Sequence, residues 1–316
     1  MEWLWASLGL VILLLAGDAL VRGAVNLALR LGIPALIVSL TIVAFGTSAP
    51  ELLISIQAIL KGVPGLALGN VVGSNTANIL LVLGFPAMLA VMHTSGCESR
   101  KSYIQMMLAT VVFIILAHRG VFGFGSGLIL LSILALILMD ALRDARAHRR
   151  ANGKCEDEEE PEGADPNMPW WKIICFLMLG LIGLPLGADL LIDSAEVIAR
   201  EFGVSETAIG LTLVALGTSL PELATTSMAA LRRQADVALG NVIGSNMFNL
   251  LAIIGIATFV GPIPVESAFL QVDLWVMLGA SLLLVPFVFF KRDITRVWGV
   301  ALSLLYVVYV VGVFIW

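Results

Sequence analysis

The sequence is short of charge. Of its 316 residues, 13% are Asp, Glu, Lys or Arg and 59% are hydrophobic, giving a mean hydropathy of +1.00. Soluble domains carry roughly a quarter charged residues, so this composition excludes an ordinary soluble enzyme and offers no basic surface for nucleic acid. Cysteine is equally scarce. Cys97, Cys155 and Cys175 show neither a metal-ligand spacing nor the pattern of a disulfide framework. The three histidines, His93, His118 and His148, sit near the ends of apolar runs. No catalytic constellation is visible, so an enzyme is not expected, nor is a bound cofactor. Ser48 and Ser219 lie close to carboxylates but have no His or Lys base in their motifs, which disfavours an intramembrane hydrolase. Long alternating strands are missing, which argues against an outer-membrane barrel. The segment from Met1 to Leu15 has no basic stretch, so a cleaved secretory signal is not expected.

What is present is hydrophobic sequence in blocks of about 20 residues or more, the length needed to cross a bilayer as a helix. The blocks predict ten spans at 3–29, 34–60, 65–92, 102–118, 122–141, 170–199, 205–231, 237–260, 270–290 and 296–315. Spans 2 and 7 are longer than a bilayer requires and leave room for a break. The chain divides into residues 1–141, a 142–169 linker and residues 170–316. The linker begins basic (Arg143, Arg146, Arg149, Arg150) and turns acidic (Glu156 to Glu160, Glu162), the composition of a poorly ordered solvated tether. With the N-terminus outside, fourteen Lys and Arg residues fall on the cytoplasmic side and three (Lys61, Arg119, Arg200) on the other, with Arg22 inside a span. That asymmetry predicts a multi-pass protein of the cytoplasmic membrane with a cytoplasmic linker.

Gly46-Thr47-Ser48-Ala49-Pro50-Glu51 returns 171 residues later as Gly217-Thr218-Ser219-Leu220-Pro221-Glu222. Residues 41–84 align without a gap on 212–255, with about half of the pairs identical. The match extends more weakly upstream, pairing Asp18 with Asp189. Five spans per half is an odd number, so the second half enters the membrane from the opposite face. The predicted fold is therefore an all-α membrane protein of ten transmembrane helices, arranged as two inverted five-helix repeats with discontinuous helices. In transporters this architecture places the site at the repeat interface near the midplane.

The motif chemistry is that of hard oxygen donors. Pro50 removes a helix hydrogen bond, which makes backbone carbonyls from Ala44 to Thr47 available. Thr47 and Ser48 add hydroxyls, and Glu51 adds a carboxylate. Ala215, Thr218, Ser219 and Glu222 repeat the set. Such groups suit Na⁺ or Ca²⁺ rather than soft metals, and a carboxylate within a span marks function by default. A second repeated string runs from Gly69-Asn70 through Gly73-Ser74-Asn75 to Asn78, and from Gly240-Asn241 through Gly244-Ser245-Asn246 to Asn249. Ser74 and Asn78 share one helical face, and their oxygens could complete a coordination shell. Other roles stay open. Ser48 to Glu51 also fits a capping box for a restarting helix. Asn70, Asn75, Asn241 and Asn246 suit interhelical hydrogen bonds as well as ion contact. Asp18, Asp189, Asp193 and Glu196 suit interfacial structural roles.

G-T-S-x-P-E followed by G-N-V-x-G-S-N, in two inverted copies across nearly the whole chain, resembles the alpha repeats of the cation/calcium antiporter superfamily, and most nearly its prokaryotic sodium/calcium exchangers. The resemblance implies that Glu51 and Glu222 are the principal ligands of transported Ca²⁺ and Na⁺. The Ala44 and Ala215 carbonyls, Thr47, Ser48, Thr218, Ser219, Ser74, Ser245, Asn78 and Asn249 would supply the rest. It also implies alternating access, with spans 1 and 6 sliding as a gating pair. Some relatives have aspartate where Asn249 stands, so two carboxylates rather than three are expected here, which weighs against potassium co-transport. The same-superfamily alternative is Ca²⁺/H⁺ exchange. The hydroxyl-bearing motif favours sodium, because proton-coupled relatives commonly show G-N-x-x-E there. A passive cation channel fits the inverted repeat poorly. One chain carries both motifs, so a monomer suffices for transport in the bilayer, whatever the oligomeric state.

Overall fold

The structure, a computed structural model, describes residues 1–150, 165, 167–202, 217–267 and 269–315. Within these residues, apolar sequence forms long helices, because a backbone in lipid must satisfy its own hydrogen bonds. In chain order the helices are α1 (Glu2–Leu31), α2 (Ala35–Thr47), α3 (Ala49–Leu60), α4 (Pro64–Leu89), α5 (Arg100–Ala117), α6 (Phe124–Arg150), α7 (Trp170–Glu201), α8 (Leu220–Leu231), α9 (Ala235–Val260), α10 (Phe269–Phe289) and α11 (Arg296–Ile315). Seven are long and apolar enough to cross a membrane, and an eighth span results if α2 and α3 are read as one. The protein is thus a multi-pass α-helical membrane protein. The linker over 151–164 and the span segment over 203–216 lie outside the described residues.

The break expected in span 2 is present. α2 and α3 meet at a 41° bend at Ser48, where Pro50 in the first turn of α3 cannot donate to a preceding carbonyl. A shift of 171 residues carries α1 onto α7, α3 onto α8, α4 onto α9, α5 onto α10 and the start of α6 onto that of α11. α6 departs from expectation. It runs to Arg150 rather than ending at 141, because the polar continuation is rich in helix-forming Ala, Arg and Leu. Its Asp140 and Asp144 also share one face, where both pair with Lys101 of α5 at 2.7 and 2.6 Å.

α4 and α9 form the centre. α9 is the most enclosed of the candidate spans, with 89% of its apolar window buried, against 33% for α7. α1 and α7 instead pack on each other along a glycine-rich seam. A Cβ at Gly187 would stand 2.8 Å from the Leu13 nitrogen, and one at Gly9 would stand 2.7 Å from the Leu191 nitrogen. The outer faces carry exposed leucines, valines and tryptophans such as Leu15, Leu186, Trp171 and Val308, as expected for a lipid-facing surface.

Two short antiparallel contacts, not legible in the sequence, tie the halves together at opposite ends of α5. β1 (Val121–Phe122) pairs with β2 (Ile263–Pro264). At the other end Met92 pairs with Ile294, through bonds of 3.1 and 3.0 Å. The 171-residue shift takes Ile263 to Met92 and Phe122 to within one residue of Ile294, so the two bridges are near-equivalents of each other. Beside the second bridge, Asp293 accepts from the Ser95 amide at 3.0 Å and lies 3.0 Å from His93 Nδ1. Burial acts to raise the Asp293 carboxyl, but the bonds from Ser95 and His93 outweigh it and hold the group below its usual range. A depressed carboxylate stabilises the fold above its unfolded pKa and loses that contribution as pH falls through the folded value. The clamp is therefore intact at neutral pH and fails only in acid.

The equivalence is broken at two turns, where Gly62 and Gly120 correspond to Arg233 and Lys291, all four with positive φ. α3 ends on Gly62 with φ 76°, the left-handed residue that closes a helix, whereas α8 ends on Arg233 with φ 55° at the equivalent position. Both make the same closing pattern: Val63 and Gly62 donate to Ala58 and Ile59, and Gln234 and Arg233 donate to Ala229 and Ala230. A non-glycine residue there costs about 1 kcal/mol. Arg233→Gly should therefore raise thermal stability in detergent by an amount of that order. A lower melting temperature would show that the arginine side chain contributes more than its backbone costs.

Candidate functional site

The two motifs meet. Ser48, at the α2–α3 break, donates its hydroxyl to Glu222 Oε1 across the repeat interface at 3.3 Å. Glu51 and Glu222 are each 1% exposed. This corrects the capping reading. Ser48 and Ser219 stand at the N-caps of α3 and α8, but neither makes a side-chain cap bond. Ser48 is turned to the opposite carboxylate instead, and Ser219 Oγ has no partner among the described residues.

The asparagines build the frame. Asn70 Nδ2 donates to the Glu51 carbonyl and to Ser55 Oγ, both at 3.3 Å. Asn241 Nδ2 donates to the Glu222 carbonyl at 3.5 Å and to Thr226 Oγ1 at 3.1 Å. These are the same bonds under the 171-residue shift. Asn75 Nδ2 donates to the Asn246 carbonyl at 3.2 Å, and Asn246 Nδ2 returns a bond to the Asn75 carbonyl at 3.3 Å, so a local two-fold runs between α4 and α9. For these four residues the interhelical role is the one the structure displays.

The remaining predicted donors surround that frame. Thr47 Oγ1 lies 3.3 Å from Asn241 Oδ1 and 3.5 Å from Ser245 Oγ. The Ala44 carbonyl accepts from the Ser48 amide at 3.1 Å and from the Thr47 hydroxyl at 3.3 Å, so its oxygen already has local donors. Asn78 Nδ2 donates to Asn246 Oδ1 at 3.0 Å. Ser74, Asn249 and Thr218 are buried, and Ala215 lies outside the described residues.

What distinguishes the site is oxygen left over. Glu51 Oε2, Glu222 Oε2, Asn78 Oδ1, Asn249 Oδ1 and Ser219 Oγ are buried without a hydrogen-bond partner among the described residues. Buried acceptors are normally satisfied, and an unpaired charge in a low-dielectric interior is costlier still. A set of such oxygens has the chemistry a hard cation requires. Among the described residues no group of three or more His, Cys, Asp or Glu could hold a metal, so any cation here depends on two carboxylates and neutral oxygens.

Sequence reasoning missed the π-turns. Ser39–Val43, Asn78–Val82 and Phe248–Ile253 each widen by one residue per turn, and the last two contain Asn78 and Asn249. Such turns re-aim side chains and concentrate at functional sites. Two asparagines in otherwise apolar helices were the available signal. Gly240 and Gly244 explain how α9 reaches α2: added Cβ atoms would lie 2.8 Å from the Leu36 carbonyl oxygen and 2.5 Å from that of Leu40.

Fold and site together define an α-helical membrane protein with a cluster of buried, oxygen-bearing side chains drawn from two related halves. The chain belongs to the sodium/calcium exchanger family: the family described as "Sodium/calcium exchanger protein" matches residues 1–142 and 172–315. It is 32% identical to sodium/calcium exchanger MaX1 of Methanosarcina acetivorans, over 97% of both chains. It is similar in structure to the sodium-calcium exchanger NCX_Mj, with a TM-score of 0.83 and 31% identity, covering 98% of this chain and 97% of that one. A more distant relative, at 25% identity over 85% of this chain and 80% of the relative, is the Ca(2+)/H(+) antiporter ChaA of Bacillus subtilis.

Proposed function

We propose that the protein is a secondary antiporter that exchanges Na⁺ for Ca²⁺ across the cytoplasmic membrane by alternating access. The observation that carries this reading is the set of buried, unpartnered oxygens on Glu51, Glu222, Asn78, Asn249 and Ser219. Both transported ions are hard cations that take oxygen ligands. Ca²⁺ would be held between the two glutamates, with Thr47, Ser48, Thr218, Ser74, Ser245 and the Ala44 and Ala215 carbonyls available around it. Na⁺ would use overlapping oxygens. Competition for shared ligands couples the two fluxes, because a ligand drives a conformational equilibrium only through differential affinity.

The architecture in this reading is ten spans in two inverted repeats, 1–141 and 170–316, joined by a cytoplasmic linker, with the N-terminus outside. The element-by-element equivalence, the mirrored asparagine bonds and the paired β-bridges support it. Ca²⁺/H⁺ exchange is the second reading, and likeness to a Ca(2+)/H(+) antiporter favours keeping it. The two separate in proteoliposomes. Loaded with Na⁺ and diluted into sodium-free medium, they should accumulate ⁴⁵Ca²⁺ in proportion to the outward sodium gradient, unaffected by K⁺. Uptake driven by a pH step alone, with no sodium present, would overturn sodium coupling in favour of proton coupling. Calcium flux with no counter-ion requirement would mean a passive channel.

A further inference from the structure

The 171-residue shift relates Asp18 of α1 to Asp189 of α7. It also relates Lys61, just past α3, to Arg232, just past α8. An inverted repeat therefore offers two crosswise ion pairs at opposite ends of the molecule, Asp18 with Arg232 and Asp189 with Lys61. The structure makes only one of them. Arg232 Nε donates to Asp18 Oδ1 in a partly buried pair, their side chains 15% and 19% exposed, and Asp18 Oδ2 forms an ion pair with Arg22, 3.0 Å from its Nε. Asp189 and Lys61 are exposed, and neither has an ion-pair partner among the described residues.

The packing is asymmetric in the same sense. α1 lies along α8: a Cβ on Gly17 would stand 3.1 Å from the Ala224 carbonyl carbon and oxygen, and 3.4 Å from Met228 Cγ. α7 has no comparable contact with α3. Helix packing therefore covers the Asp18–Arg232 pair, and α7 does not pack on α3 beside Lys61 in the same way.

The equivalent of Arg22 is Asp193, one turn beyond Asp189 on the same helix. The formed cluster is therefore one carboxylate between two arginines, and its counterpart in sequence is two carboxylates and one lysine. Near Asp189 and Asp193, the Glu196 carboxylate is already paired with Arg200 at 3.4 Å, so the cation still to be supplied there is Lys61.

We propose that Asp18–Arg232 and Asp189–Lys61 are alternating latches, one formed and the other broken in each of the two access states. Asp18, Arg232, Asp189 and Lys61 are positioning residues: they touch no transported ion and act by setting which side of the site is shut. Sliding the α1–α7 pair would break the first latch, bring Asp189 and Asp193 to Lys61, and close the opposite end. Because each pair exists in only one state, each biases the equilibrium by its differential stability. This rests on the alternating-access reading above.

The test uses full-length protein with Cys97, Cys155 and Cys175 replaced by serine, carrying either Asp18→Cys with Arg232→Cys or Lys61→Cys with Asp189→Cys. Both pairs should form disulfides under mild oxidation. Adding Asp18→Asn to the Lys61/Asp189 cysteine pair should raise its cross-linking rate by about fivefold or more, since releasing one latch populates the state that closes the other. Lys61→Asp alone should lower exchange about tenfold, and adding Asp189→Lys should restore most of it. Rescue by charge exchange is not expected of a residue that only supports the fold. A Lys61/Asp189 cysteine pair that never cross-links in a protein that still transports would overturn the proposal, as would a cross-linking rate indifferent to Asp18→Asn. Cross-linking is scored without reference to the coupling ion, so failure of sodium dependence in the flux assay would refute sodium exchange and leave the latches standing.

Discussion

Glu51→Gln and Glu222→Gln should each abolish calcium exchange, lowering the initial rate about a hundredfold or more, while the protein remains folded. Both carboxylates are buried and each leaves Oε2 without a partner among the described residues. Replacing one with an amide therefore removes charge from the site but keeps a group of nearly the same size, with an oxygen still able to accept from Ser48 at position 222. Losing one of two anionic ligands in a low-dielectric site is worth about 3 kcal/mol or more, and each 1.4 kcal/mol is a tenfold change in affinity. Fold stability should move the other way, because two neighbouring buried carboxylates repel each other and either substitution relieves that. Flux in proteoliposomes and melting in detergent, measured on the same preparation, separate the two effects. Near-normal transport in either variant would end the shared-site reading.

The second large effect is an asymmetry between equivalent glycines. Gly244→Ala should destabilise the protein by about 1–3 kcal/mol, the usual cost of overpacking. Its new Cβ would stand 2.5 Å from the Leu40 carbonyl oxygen and 2.6 Å from Ala44 Cβ, so α9 could not approach α2 as it does. The obstruction is backbone and cannot rotate away. Gly73→Ala, at the equivalent position in α4, meets nothing within 4 Å. It should be neutral or stabilising by about 0.5–1 kcal/mol through helix propensity. Thermal shifts of the two variants in one detergent decide it, and equal shifts would mean that α9 does not pack on α2 as described. Because Gly244 precedes Ser245, whose hydroxyl lies 3.5 Å from that of Thr47, its alanine variant should also lose transport.

Much of the architecture could be read before any coordinates. Hydropathy located the helices to within a few residues because apolar length is what a bilayer demands. The Pro50 break was readable because a missing amide is a property of the residue. The end of α6 was misjudged, since residues 142–150 are polar yet helix-forming, and polarity was taken as the end of the helix. Ser48 was assigned a possible cap from local spacing, whereas its partner, Glu222, lies on the other half of the chain. The π-turns at Asn78 and Asn249 depend on how α4 and α9 pack. No single-chain pattern announces a helix widened by one residue.

By itself the sequence determined the repeat, the two glutamates and the supply of oxygen donors, because these are matters of residue identity and spacing. It is nearly symmetric about the Asp18–Arg232 and Asp189–Lys61 pairs and so could not say which is formed. Only the tertiary structure decided that. The formed pair requires α1 to lie against α8, and that packing depends on contacts between distant parts of the chain that residue identity and spacing leave open.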